Sequence, residues 1–190
     1  MHPAFAFLFG ARHLWQNNSM ALRKVVLYPD PVLHSVGKPV TEFNAALKTL
    51  VEDMFETMYE AGGVGLAAPQ IGVSERIFVM DCSPREDGSP RVAVINPEIV
   101  AVEGEQTGEE GCLSFPGIYQ KIRRNARAVV RGQDVDGNEI EIDGLDLTAR
   151  CILHETDHCD GIVFLDRMTP LKRELAKRKI KKMQKTGEWA

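Results

Sequence analysis

The residues best suited to chemistry lie in Cys151-Ile152-Leu153-His154-Glu155-Thr156-Asp157-His158-Cys159-Asp160-Gly161. Two histidines four residues apart on a helix share one face, with Cβ atoms roughly 5–6 Å apart, so both imidazoles can reach one small cation. Glu155 follows the first histidine directly. That pattern is the one zinc hydrolases use, with the carboxylate acting as base toward water at the metal. Taken alone, the five residues fit a packed or solvated pair of histidines equally well. A catalytic metal centre takes three protein ligands and keeps one position open. The remaining histidines, His2, His13 and His34, lie in an N-terminal segment and an early loop, so the third ligand must be a cysteine or a carboxylate.

Cys112, in Glu110-Gly111-Cys112-Leu113-Ser114-Phe115-Pro116, is the strongest candidate. A thiolate is a good ligand for Zn²⁺ or Fe²⁺, and glycine on one side with proline soon after favours an extended backbone. Without those neighbours a lone cysteine reads better as a small buried hydrophobe. A third stretch, Gly63-Val64-Gly65-Leu66-Ala67-Ala68-Pro69-Gln70, follows the first predicted helix. Its glycines let a backbone approach a substrate, and Gln70 can offer its amide to a developing oxyanion. On spacing alone, a plain glycine-rich turn is the better reading.

The elements that must position these residues predict an α+β fold, with antiparallel β-sheets around a central metal-binding helix and a C-terminal helix. Lys24 to Leu27 is a short strand candidate, stopped by Tyr28-Pro29-Asp30-Pro31. Behind a cap at Asn44, residues Leu47, Leu50, Val51, Met54 and Met58 recur at helical spacing up to Gly62-Gly63. Five runs rich in Val and Ile then predict strands: Arg76 to Asp81, Val92 to Asn96, Ile99 to Glu103, Ala126 to Arg131 and Glu139 to Asp143. Asp136-Gly137-Asn138 is a hairpin turn candidate. The metal helix spans Leu145 to Cys159, ended by Asp160-Gly161. Thr169-Pro170 opens a last helix, with Leu171, Leu175, Ile180 and Met183 expected on its buried side.

With 190 residues, 44% of them hydrophobic and 26% charged, the chain is long enough to bury a real core as one domain. No stretch has the length of a membrane span. Four cysteines without a Cys-x-x-Cys pair point to a reduced, cytoplasmic compartment rather than a disulfide framework. Residues 170–190 carry eight Lys or Arg against Glu174 and Glu188, while the whole chain carries −4. A basic tail on an acidic body suits either a polyanion or a solvated helix face, with the solvated face slightly ahead. Residues 1–19 hold an apolar run, Ala4-Phe5-Ala6-Phe7-Leu8-Phe9, no acids and a single Arg12, but fit neither a secretory signal nor a transit peptide. They are read as an extension outside the fold, which begins at Met20 and makes residues 20–190 the catalytic domain.

Together, the three stretches resemble the three motifs of the peptide deformylases: Gly-x-Gly-x-Ala-Ala-x-Gln, Glu-Gly-Cys-x-Ser and His-Glu-x-x-His, in that order. Tyr28-Pro29-Asp30-Pro31 and Ile95-Asn96-Pro97 are similar to family features as well, and the long last helix resembles the bacterial type. The resemblance implies removal of the N-formyl group from the formylmethionine of newly made polypeptides. It also implies that Cys112, His154 and His158 hold one divalent metal, natively Fe²⁺, with Zn²⁺, Ni²⁺ or Co²⁺ as alternatives. By the same resemblance Glu155 is general base and then acid, and Gln70 with the Leu113 backbone N–H holds the oxyanion. Gly65 hydrogen-bonds the peptide backbone, while Leu147, Cys151 and His154 wall a methionine pocket. Leu153 and Cys159 stand where the family most often has Gln and Leu. The implied partners are formyl-Met nascent peptides and, through the basic last helix, the ribosome; neither DNA nor a membrane is expected, and the enzyme is expected to be a monomer.

Two other readings compete. A zinc protease whose motif continues to a third histidine is disfavoured by Phe164 at that position, and one recruiting a later glutamate would need Glu174, which lies in the basic helix. A closed structural site would need Cys151 or Cys159 as a fourth ligand. Arg124 is a further expected partner, for Asp157 beside the second histidine.

Overall fold

The computed structural model describes residues 21–85 and 89–189. The expectations for residues 1–19 lie outside the described residues. The helix α1 spans Ala45–Glu60, and Asn44 caps it by accepting the Leu47 N–H at 3.1 Å. Strands β1 (Gly65–Ala67), β2 (Ile77–Met80), β3 (Val92–Glu103), β6 (Arg127–Gln133) and β7 (Glu139–Leu145) form one antiparallel sheet in the order β1-β2-β3-β6-β7. Strands β4 (Gln106–Glu110) and β5 (Gln120–Arg124) make a separate two-stranded ribbon. The helix α2 spans Asp146–Cys159, and α3 spans Pro170–Thr186.

The sheet is covered on both faces, which is why β2 is buried at all four positions. Alternate side chains point to opposite faces, so Ile77 and Val79 pack with Val51, Met54 and Met58 of α1. Phe78 and Met80 pack with Ala149, Cys151 and Ile152 of α2. α2 touches every strand of the five-stranded sheet. A third cluster, including Phe115, Ile122, Phe164 and Ile180, joins the ribbon to α3.

Several local expectations change. Lys24 to Leu27 is an extended arm rather than a strand, tied down by Val26 N–H donating to the Gln70 carbonyl at 2.7 Å. The two strands expected around Pro97 are one strand, β3, with a break in register between Ile95 and Glu98. Proline cannot donate to the ladder, so the strand bulges there instead of ending. Asn96 takes φ 53° at the bulge, and its side chain bonds both the N–H and the carbonyl of Val40, at 2.8 and 2.9 Å. β1 is too short, and β4 and β5 carry too few apolar residues, to be foreseen. The hairpin turn at Asp136-Gly137-Asn138 does join β6 to β7.

On α3 the buried residues are Ala176 and Ile180, whereas Leu171 and Leu175 are 72% and 55% exposed. At about 100° per residue, the nine residues from Leu171 to Ile180 put the two side chains on opposite faces. Ala176, Ile180 and Met183 form the stripe that packs. α2 ends as expected, with Gly161 at φ 72° beneath the carbonyl of His34; a Cβ there would lie 2.9 Å from that oxygen.

Candidate active site

Three segments meet on the open side of α2. Its turns present Leu147, Cys151, His154, Glu155 and His158 along one stripe, since residues three and four apart share a face. The backbone just after β4 brings up Cys112, and the turn after β1 brings up Gln70. The ligand atoms of Cys112, His154 and His158 lie within 4.8 Å of one another. Cys112 Sγ is 3.2 Å from His158 Nε2, and the two imidazole rings are 4.9 Å apart at 69°.

The surroundings decide which nitrogen of His154 faces this cluster. Its Nδ1 lies 2.7 Å from Glu110 Oε1. A carboxylate can only accept, so Nδ1 carries the hydrogen and Nε2 keeps its lone pair for the cluster. Glu110 also takes Arg124 Nε at 3.1 Å, Arg124 Nη2 at 2.7 Å and Arg150 Nη1 at 2.9 Å. Burial opposes ionisation of Glu110, yet the hydrogen bonds from His154 and Arg124 outweigh it and hold the carboxyl well below the usual range. Arg124 continues to Asp157, 2.5 Å away, and Arg167 closes on the other side of that carboxylate.

One sulfur and two nitrogens at these separations suit a tetrahedrally inclined cation such as Zn²⁺ or Fe²⁺, with bonds of roughly 2.0–2.3 Å. Burial acts to lower the pKa of His154, but Cys112 and Glu110 act against it and pull a proton toward the ring. A negative surround that favours a proton there suits a divalent cation equally. His158 is driven the other way, far below its ordinary pKa, by burial and by the charges of His154 and Arg124. A neutral imidazole is the form that ligates. Neither of the other nearby thiols joins the set: Cys151 Sγ donates to the Val64 carbonyl at 3.5 Å and Cys159 Sγ to the Ile77 carbonyl at 3.6 Å. The closed four-ligand arrangement is therefore not what these residues build.

Glu155 stands beside the cluster, buried, and its Oε2 has no hydrogen-bond partner among the described residues. Burial is the main cause that lifts its pKa, up to about 7, over the opposing pull of His154. Gly65 passes directly across it: a Cβ there would overlap the Glu155 carboxylate and come within 2.7 Å of Cys151 Sγ. Gln70 is locked by accepting the Ala67 N–H at 2.9 Å, which aims its amide nitrogen at Cys112 Sγ (3.4 Å) and Ser114 Oγ (3.3 Å).

Gly65, Gln70, Cys112, Leu113, Leu147, Cys151, His154 and Glu155 all line one open groove of about 1270 Å³, and His158 lies behind it, fully buried. Sequence reasoning missed three parts of that groove. The Lys24–Leu27 arm and Tyr119, whose ring covers Gly111, form its walls. Arg150 also lines it, and its position one turn before His154 was the available signal. For the protease reading, Phe164 is buried in the third cluster, and Glu174 is exposed on α3, paired with Arg178 at 3.1 Å.

Comparison with known proteins gives the same order of motifs a family. The model for polypeptide deformylase matches residues 22–174. A peptide deformylase of Acidobacterium capsulatum is 52% identical over 170 residues, covering 90% of this chain and all of the relative. The crystal structure of a Legionella pneumophila peptide deformylase is 45% identical with TM-score 0.82, covering 90% of this chain and 99% of that one. A peptide deformylase from Ehrlichia chaffeensis, solved in complex with actinonin, is 39% identical with TM-score 0.80 over 86% of this chain and 98% of that one. The chain belongs to the polypeptide deformylase family, metal-dependent hydrolases that take the N-formyl group from the formylmethionine of new polypeptides.

Proposed function

We propose that Cys112, His154 and His158 hold one divalent ion, natively Fe²⁺, and that Glu155 carries both proton transfers of deformylation at its side. The observation that supports this most is the three-donor cluster, open toward a groove in which the buried Glu155 carboxylate keeps one oxygen unpartnered. A divalent cation in that cluster supplies Lewis acidity toward water and toward the formyl carbonyl. Glu155 takes the proton of the attacking water and returns it to the amine that leaves, so one carboxylate serves as base and then acid. The Gln70 amide, held from the other side by Ala67, and the Leu113 backbone N–H donate to the carbonyl oxygen as it gains charge. Gly65 lies close enough to the site for its backbone to bond an extended peptide, and Leu147 and Cys151 offer a narrow apolar wall for an unbranched thioether.

The basic exposed face of α3 supports a contact with ribosomal RNA, where formylated chains emerge. Such binding should weaken steeply as salt rises; association independent of salt would return the helix to a solvated face. No helix among the described residues is long and apolar enough to cross a membrane; it is the resemblance to the bacterial enzymes that supports reading the protein as a cytoplasmic monomer. Residues 1–19 are assigned to a segment outside the catalytic domain. The direct test is metal analysis of anaerobically purified enzyme together with an assay on formyl-Met peptides and internally blocked peptides. Stoichiometric iron and deformylation alone are expected, and cleavage of internal bonds without deformylation would overturn the reading.

A further inference from the structure

Arg150 sits four residues before His154 on α2, so both side chains rise from the same helical face. Glu110 bridges them from the ribbon: Oε1 accepts from His154 Nδ1 and Oε2 accepts from Arg150 Nη1, at 2.7 and 2.9 Å. The rest of the Arg150 head is spent on the ribbon itself. Its Nη1 also donates to the Ile122 carbonyl at 3.2 Å, and its Nη2 donates to Gln106 Oε1 at 3.1 Å. Gly108 between them leaves the space, since a Cβ there would come 3.0 Å from Nη2. The guanidinium is buried and belongs to the groove wall, yet its donors point away from the groove toward β4 and β5.

Arg124 grips Glu110 as well, but it connects the carboxylate to Asp157, at the far end of α2. Arg150 adds a second attachment, one helical turn from the ligand and on three different acceptors.

We propose that Arg150 is a positioning residue for His154: by holding the second oxygen of Glu110 while its other donors grip Ile122 and Gln106 of the ribbon, it keeps the first oxygen where it aims the His154 ring at Cys112 and His158. The inference rests on the three-ligand reading above, and its test separates the two. Partners behind a ligating histidine typically change metal affinity or activity 10–100-fold when removed. Arg150 acts through Glu110 and touches neither the metal donors nor the reacting atoms, so metal retention is the property it should govern.

Wild type, Arg150→Met and Arg150→Lys are loaded with Zn²⁺, and release of the ion to a chromogenic chelator is followed, with circular dichroism as a check on folding. Arg150→Met should lose zinc about 10-fold faster or more. Its kcat at saturating zinc should fall while KM for a formyl-Met peptide stays near that of wild type. Arg150→Lys keeps the charge but cannot reach Glu110, Ile122 and Gln106 together, so its release rate should fall between the two. A folded Arg150→Met that holds zinc as long as wild type overturns the proposal; if that variant does not fold, wild-type release from Arg150→Lys does so. Wild type that binds no zinc, or binds it unchanged after Cys112→Ala, would instead overturn the ligand reading.

Discussion

The two long helices of the second half of the chain invert the usual relation between polarity and burial. α2 carries Arg150, His154, Glu155, Thr156, Asp157 and His158, and all of them are buried. α3 has leucines at 171 and 175, yet buries only Ala176 and Ile180. A buried charge costs several kcal/mol unless it is paired and hydrogen-bonded. α2 meets that condition at Arg150, His154 and Asp157, which pair with Glu110 and Arg124 reaching in from the ribbon, while Glu155 keeps one oxygen without a partner beside the site. α3 has no such demand: none of its basic residues is buried, and Arg173 and Lys179 reach only backbone carbonyls at its edge. A polar helix is thus held at the centre by the charged partners that face it as well as by its apolar side on the sheet.

The contrast can be broken from the α2 side first. Glu155→Gln should lower kcat about 10²-fold or more, the span of a general acid–base group, while the metal content by atomic spectroscopy stays unchanged. Loss of metal along with activity would make Glu155 a ligand or a structural residue instead. Arg124→Met leaves Glu110 and Asp157 each one cation short in a buried setting, and should cost about 3 kcal/mol or more in denaturant unfolding. A change near zero would mean that Arg150 and Arg167 alone balance the two acids. On α3, Ile180→Ala should cost about 2 kcal/mol or more, as for a large-to-small change in a packed core. Leu175→Ala should stay within about 0.5 kcal/mol. Equal losses at the two positions would restore the stripe that the sequence suggests.

Much of α2 was legible because its chemistry is local. His154 and His158 are fixed relative to each other by helix geometry alone, and Glu155 comes with them. Cys112 and Gln70 were legible as motif residues, but their approach to the helix depends on β4 and β1, short strands with little apolar alternation. In β4 and β5 the sequence Gln106-Thr107-Gly108-Glu109-Glu110 and Gln120-Lys121-Ile122-Arg123-Arg124 offers one buried aliphatic, Ile122. That ribbon is held by Glu110 and Arg124 meeting α2, a nonlocal charge pairing that periodicity does not report. Pro97 misled for the opposite reason: a rule that ends strands at proline is sound locally, but Asn96 and Val40 hold the bulge together from elsewhere in the chain. On α3 the apolar residues fall into two phases, and only packing against Phe115 and Phe164 selects the one that is buried.

The donor set itself gives the most direct test. X-ray absorption on the Co²⁺-loaded enzyme should report one sulfur and two imidazole nitrogens, with the sulfur contribution lost in Cys112→Ala. Two sulfurs in the wild type, or a sulfur that survives that substitution, would place Cys151 or Cys159 at the metal and contradict the account.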